Sequence, residues 1–224
     1  MTHPYWPPFD LEVRTPRITL RYVDDKLAVR LAELAAHGIH DPSWMPFALP
    51  WTDVASPELE QNTLRYYWRT RAELTPDHWD LPLAVLVDGD VVGACSVSGE
   101  HFAVVRTFET GSWLGRAHQG QGLGKEVRAA SLHLGFEGLG ALVATTGAYE
   151  DNAASLGVTR SLGYSPNGAR REVRRDQLGV TLLFHMIIDH WRTIRRDDIE
   201  LFGVEALLPF LGPITDMPPD GTPT

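Results

Sequence analysis

The sequence predicts an α/β fold with an antiparallel half, and three observations predict it. Apolar residues recur at period two and at helical spacing in the order β-α-α-β-β-β-α-β-α-β-β. The pair Asp88-Gly89 separates two β-branched runs, a strong hairpin signal. A glycine-rich segment, Gln119 to Gly124, lies between a strand pattern and a helix pattern.

Each element has its own signal. Leu11 to Val23 favours a strand, with Val13, Ile18, Leu20 and Tyr22 as its apolar residues and Pro16 interrupting it. Asp24 and Asp25 mark a helix start, Leu27, Leu31, Leu34 and Ala35 recur behind them, and Gly38 stops the run. From His40 to Asp53 three prolines deny the chain regular structure, yet Trp44, Met45, Phe47, Leu49 and Trp51 are too apolar for a solvated loop. This stretch is expected to pack against something, a ligand being one candidate. Ser56 as N-cap and Pro57 at the first helical position open a second helix, which runs through Leu59, Leu64, Tyr67, Trp68 and Leu74. Strands follow at Leu81 to Val87, Val91 to Val97 and Thr107 to Leu114. A helix from Leu123 to Phe136, a strand from Leu139 to Thr146 and a helix from Ala153 to Leu162 come next. Two last strands, Tyr164 to Arg174 and Val180 to Ile188, are joined by a turn at Asp176 to Gly179. Beyond His190 a short helix and a proline-containing tail are expected, with roughly the last ten residues mobile.

Composition bounds the function. The 224 residues are 43% hydrophobic and 22% charged, enough for a full core and too apolar for wholesale disorder. Twenty-nine acids face 20 bases, a formal charge of -9, which argues against a nucleic-acid partner and permits a cationic acceptor such as a lysine or a polyamine. Cys95 is the single cysteine, so a disulfide framework and a cysteine-built zinc site are excluded, and in its apolar strand it is expected to pack. The nine histidines form no HExxH pair, and no metal site is expected. No G-x-S-x-G elbow is present. No apolar run reaches the length of about 18 residues that spans a bilayer. Met1 to Asp10 lacks the basic-then-apolar order of a secretory leader, so a soluble cytoplasmic protein is expected.

The glycine segment carries the chemistry. A glycine turn ahead of a helix points backbone N–H groups outward, where the helix dipole favours phosphate. A Walker A loop needs a glycine where Gln119 stands and Ser or Thr where Glu126 stands; a dinucleotide GxGxxG needs a glycine at Lys125. Both fail. Gln119, Gly122 and Gly124 fit Gln-x-x-Gly-x-Gly, which resembles the pyrophosphate turn of the GNAT acyl-CoA N-acyltransferase superfamily. The same triplet is also compatible with a tight turn that binds nothing.

The resemblance extends further. Thr15-x-Arg17-Ile18-x-Leu20-Arg21 and Gly111-Ser112-Trp113-Leu114 are similar to the first and fourth strands of the RimJ/RimL-like branch. Gly122-Leu123-Gly124-Lys125-Glu126 resembles its glycine turn, and Asp151-Asn152-Ala153-Ala154-Ser155 with Leu162-Gly163-Tyr164 its Asn-x-x-Ser block. The match covers Leu11 to Trp191, and the aromatic loop and tail look closest to a subgroup described as succinyltransferases. It implies a seven-stranded, mostly antiparallel GNAT sheet splayed at strands 4 and 5, in a domain of residues 1–191. Residues 192–224 would be a C-terminal extension, apolar enough at Leu201, Phe202, Leu207, Leu208 and Phe210 to suggest a homo-oligomer contact.

The resemblance also implies roles. Ser112, Trp113 and Leu114 would present a backbone edge to the pantetheine of acetyl-CoA or succinyl-CoA, one N–H polarising the thioester carbonyl. Gln119, Gly120, Gln121, Gly122, Leu123 and Gly124 would donate N–H groups to the pyrophosphate, with Lys125 near a phosphate or simply solvated. Asn152 would meet the pantetheine and Ser155 reprotonate the departing thiolate, although helix capping explains both residues as well. Tyr149 is the alternative acid. An amine of pKa about 10.4 is neutral in only about one molecule in 2,500 at pH 7, so a base helps. Glu109 is the first candidate, followed by His40 and Asp41. Arg170, Arg171, Arg174 and Arg175 form a basic cluster, read as a solvated face or as a contact for an acidic partner or the CoA 3′-phosphate. A succinyl group needs a cation near its free carboxylate, and no residue identifies itself as that cation. The expected function is acyl transfer to a small-molecule or protein amine; the alternative is a CoA-binding regulatory or assembly module without catalysis.

Overall fold

A computed structural model describes residues 3–212. Pro16 does more than interrupt the first strand. The chain folds back there, so β1 (Glu12–Arg14) and β2 (Thr19–Tyr22) form an antiparallel hairpin, Val13 opposite Leu20. Thr15 Oγ1 accepts the N–H groups of Arg17 at 3.2 Å and Ile18 at 3.1 Å, supplying the turn that no glycine announces. The order then runs α1 (Asp25–Ala36), α2 (Glu58–Glu73), β3 (His78–Val87), β4 (Asp90–Glu100), α3 (Phe102–Val105) and β5 (Thr107–Leu114). It continues through α4 (Leu123–His133), β6 (Val143–Tyr149), α5 (Ala153–Ser161), β7 (Ser165–Arg174), β8 (Gln177–Ile187), α6 (Ile188–Ile194), β9 (Glu200–Phe202) and α7 (Val204–Phe210).

The α/β class and the mixed sheet hold, with nine strands in place of seven in the order β7-β8-β6-β5-β4-β3-β2-β1-β9. Only β5 and β6 run parallel; the other neighbours are antiparallel. The added strands come from the split first strand and from the extension. Asp88 and Gly89, both at positive φ, make the two-residue β3–β4 turn. The β7–β8 turn is also of two residues, Arg175 and Asp176, both left-handed, and lies earlier than expected. Asp24 caps α1, its side chain accepting from Leu27 N at 2.8 Å. Ser56 does not cap α2, which begins at Glu58 with Pro57 in the cap position and no side-chain bond.

Both sheet faces are covered, which is why β3 reads as a nearly continuous apolar run. Leu81, Leu83 and Val85 join the large core under α4, while Ala84 and Leu86 pack with Leu27, Leu31 and Tyr67 of α1 and α2. The extension completes the first edge of the sheet, Leu201 of β9 standing opposite Val13. Ile199, Leu207 and Leu211 are buried there, and the Phe210 ring meets Trp6 edge-on at 5.1 Å. The apolar character that suggested a second subunit is thus largely satisfied within the chain, with Phe202 and Leu208 left exposed. The expected mobile tail, roughly the last ten residues, lies outside the described residues.

Candidate active site

The parallel pair β5–β6 is short. Thr107, Phe108 and Glu109 pair with Val143, Ala144 and Thr145, and Thr146 Oγ1 donates to Thr110 O at 3.0 Å. Beyond that point β5 stays with β4 as far as Leu114, while β6 stays with β8 as far as Tyr149. The strands part, leaving the backbone of 111–114 facing a gap. Ser112 is exposed, Leu114 half-buried, and Trp113 turns toward α1 and α2.

The glycine turn lies at the end of β5. Gly120 and Gly122 have φ +72° and +79°, values only glycine adopts without strain. Gly124 is helical, and a methyl group there would meet Val158 at an ordinary 3.6 Å, so its small size matters for a close neighbour rather than for its backbone. Gly122 caps α4 without any side-chain bond, and the first helical bond runs from Glu126 N to Gly122 O at 3.3 Å. Among the described residues, the successive N–H groups of 120–125 make no hydrogen bond within the protein. Gln119 plays another part. Its N–H goes to Arg116 O at 3.3 Å, and its side-chain amide donates to Ile39 O at 2.7 Å and Leu114 O at 2.8 Å. It braces the turn, as does Arg17, whose Nη2 donates to Gln121 O at 2.9 Å. A second cavity of about 430 Å³ opens beside the turn between α4 and α6, with Arg17, Lys125 and Arg196 in its walls.

Across the gap, Asn152 Oδ1 accepts from Ser155 N at 3.0 Å and caps α5, while Ser155 Oγ, half-buried, bonds no group among the described residues. Tyr149 has the Arg174 guanidinium 4.3 Å from its ring centre, its buried hydroxyl finds no partner among the described residues, and burial followed by Glu172 raises its pKa.

The His40-to-Asp53 loop does pack, and it packs as a roof over the α1/α2 face of the gap. Phe47, Trp51 and Trp113 form a chain of rings, 5.4 and 5.9 Å between centres. Two of the four clustered arginines, Arg174 and Arg175, latch this roof, while Arg170 and Arg171 stay exposed, as a solvated face does. Arg174 donates to both oxygens of Asp151, at 3.0 and 2.8 Å, and to Met45 O at 2.7 Å; Trp44 Nε1 reaches the same carboxylate at 2.9 Å. Arg175 grips Asp53, with Nε to Oδ2 at 2.6 Å, and donates to Pro42 O at 2.9 Å. His40 and Asp41 are spent on loop geometry: His40 Nδ1 donates to Asp41 O and Nε2 accepts from Thr52 Oγ1, while Asp41 takes the N–H and hydroxyl of Ser43.

Beneath the roof lies a cavity of about 640 Å³ whose floor is the cross-strand row Pro82, Ser96 and Gly111 and whose wall is α2. The next row holds Asp80, Ser98, Glu109 and Thr145. Glu109 is exposed, at the residue where the strands part. Asp80 escaped the sequence because nothing in its spacing distinguishes it. Tyr66 donates to its Oδ2 at 2.9 Å, Oδ1 is buried without a partner, and burial is the main cause that raises its pKa, with Glu109 adding to it. Burial pushes the Cys95 thiol up to about 12, so it packs rather than reacts. No cluster of His, Cys, Asp or Glu able to hold a metal occurs among the described residues. Nor, among them, is any helix long and apolar enough to cross a membrane.

A family model described as an acetyltransferase (GNAT) domain matches residues 17–165. Among solved structures, the chain is similar to RimL, a ribosomal alpha-N-protein acetyltransferase in complex with coenzyme A. The TM-score is 0.66 at 16% identity, over 79% of this chain and 97% of that one. A ribosomal-protein-alanine acetyltransferase from Vibrio fischeri gives 0.62 at 18%, over 81% and 99%. A GNAT-family acetyltransferase from Bacillus anthracis gives 0.62 at 14%, over 79% and 98%. At these identities the likeness is one of fold.

Proposed function

The chain belongs to the GNAT acetyltransferase family, and from that premise we propose that it moves an acyl group, acetyl or succinyl, from acyl-CoA to a primary amine by direct attack in a ternary complex. The observation that carries this is the run of unused N–H groups at 120–125, placed at the end of a strand that parts from its neighbour beside a roofed cavity. These donors and the α4 dipole fit a pyrophosphate. The cavity beside them, with Arg17 and Lys125, suits the remaining phosphate and the nucleoside.

The gap edge at Ser112, Trp113 and Leu114 holds the pantetheine, and a backbone N–H there faces the oxyanion that forms when the amine attacks the thioester carbon. The N–C bond forms and the C–S bond breaks. Glu109, at the fork and one row from Gly111, takes the proton lost by the amine. Ser155, whose hydroxyl bonds nothing among the described residues, returns a proton to the thiolate, with Asn152 fixing the start of α5 around it. Holding both substrates at once supplies much of the acceleration.

Thermal unfolding with acetyl-CoA, succinyl-CoA and CoA, followed by thiol release on adding amines, tests this. At about 100 times its Kd a ligand adds about 2.7 kcal/mol, roughly 5–10 °C for a chain of this size. No shift with any of the three overturns CoA binding. A shift without thiol release from any amine favours the regulatory or assembly module.

A further inference from the structure

Building on the acyl-transfer reading, we propose that the amine acceptor has an apolar body and a carboxylate at its far end, received by Arg65 and Arg69 of α2. Asn62, Arg65, Tyr66 and Arg69 fall at i, i+3, i+4 and i+7, one face of the helix, and all four line the cavity under the roof. The opposite wall is Phe47, Leu49 and Trp51, so the body that fills the space is hydrocarbon or aromatic. The charged residues lining it are of one sign: Arg65 and Arg69, both exposed, and, among the described residues, no Asp or Glu.

Among the described residues, those guanidiniums are under-used, in a chain with an excess of acids. Arg174, Arg175 and Arg196 each hold a carboxylate closely, at 2.9 Å or less. Arg65 instead donates to the neutral Asn62 Oδ1 at 2.8 Å, and Arg69 has Glu73 only at 4.0 Å. A polyamine, or a lysine flanked by further cations, brings positive charge against them. A carboxylate satisfies their fork geometry, while the amine end reaches the floor at Ser96 and Gly111 beside the fork. The acidic composition, which by itself permits a cationic acceptor, is thus opposed at the site by its local charge. A carboxylate carried by the acyl group, as in succinyl-CoA, has the same chemistry, and the test separates the two sources.

The probes are 4-(aminomethyl)benzoate, its methyl ester and 1,4-bis(aminomethyl)benzene, each with acetyl-CoA and with succinyl-CoA, on the wild type and the Arg65→Gln/Arg69→Gln double variant. With acetyl-CoA the carboxylate probe is expected to exceed the ester in kcat/KM by about 10-fold or more. The double variant should bring the two within about 2-fold, its thermal shift with acetyl-CoA unchanged, since the CoA contacts lie elsewhere. Calorimetric titration of the probes into CoA-saturated protein gives the same comparison without turnover. Ester and carboxylate binding equally, or the diamine binding best, overturns the proposal. So does a double variant that loses only succinyl-CoA turnover, which places the carboxylate on the donor. Failure of the acyl-transfer reading shows itself separately, as no CoA shift and no thiol release while the carboxylate probe still binds through the arginines.

Discussion

Ser155 and Asp80 sit at opposite ends of legibility. The Asn-x-x-Ser spacing marked Ser155 at once, and the structure shows why the pair is ambiguous: Asn152 caps through Ser155 N–H and leaves the hydroxyl over. Ser155→Ala therefore keeps the cap. It is expected to lower kcat about 100-fold, with the thermal shift from CoA unchanged, as single-turnover and melting measurements will check. Asp80 has no motif, because what distinguishes it is a neighbour 14 residues away and a row formed across strands. Its folded pKa is raised, so the native state binds a proton more readily than the unfolded chain does, and the ionised form costs stability above that pKa. Asp80→Asn should raise Tm at pH 8, an advantage that shrinks as pH falls through the raised value. A Tm difference that does not change with pH would refute this.

At the scale of elements, local chemistry predicted well and long-range pairing did not. The Asp88-Gly89 hairpin and the glycine turn are written in adjacent residues. Pro16 and Asp176 signalled a break and a turn, but not that Thr15 to Ile18 closes a hairpin, nor that the second turn is Arg175-Asp176, ahead of the expected Asp176 to Gly179. Arg174 and Arg175 read only as part of a solvated face or a contact for an acidic partner or the CoA 3′-phosphate, because their carboxylates stand 23 and 122 residues away. Arg175→Gln should raise KM for the amine about 2- to 5-fold, the range of an exposed ion pair, with little change in KM for acyl-CoA. The wild type should approach the variant as salt rises from about 0.05 to 0.5 M, where screening weakens such pairs. The hydrogen bond from Arg175, aided by its charge, holds the Asp53 carboxyl below its usual range, so the latch persists at ordinary carboxylate pKa values and opens only as pH falls through that lower one.

For the whole molecule, the order of elements was sufficient to predict the mixed sheet, whereas strand count depended on Pro16 and on a C-terminal strand too short to show periodicity. Deleting the chain from residue 197 onward uncovers the β1 edge and removes buried Ile199, Leu207 and Leu211. At about 1.5–3 kcal/mol for each such side chain, Tm by circular dichroism should fall by more than about 10 °C.

The roof covers one face of the gap, while the glycine turn opens with α4 on the other. Two openings mean that the substrates do not queue at one entrance, and each product leaves by the way its parent came in. In steady-state inhibition, CoA should compete with acyl-CoA and act noncompetitively toward the amine, with the acylated amine showing the mirror pattern. A shared doorway would instead make each product compete with both substrates.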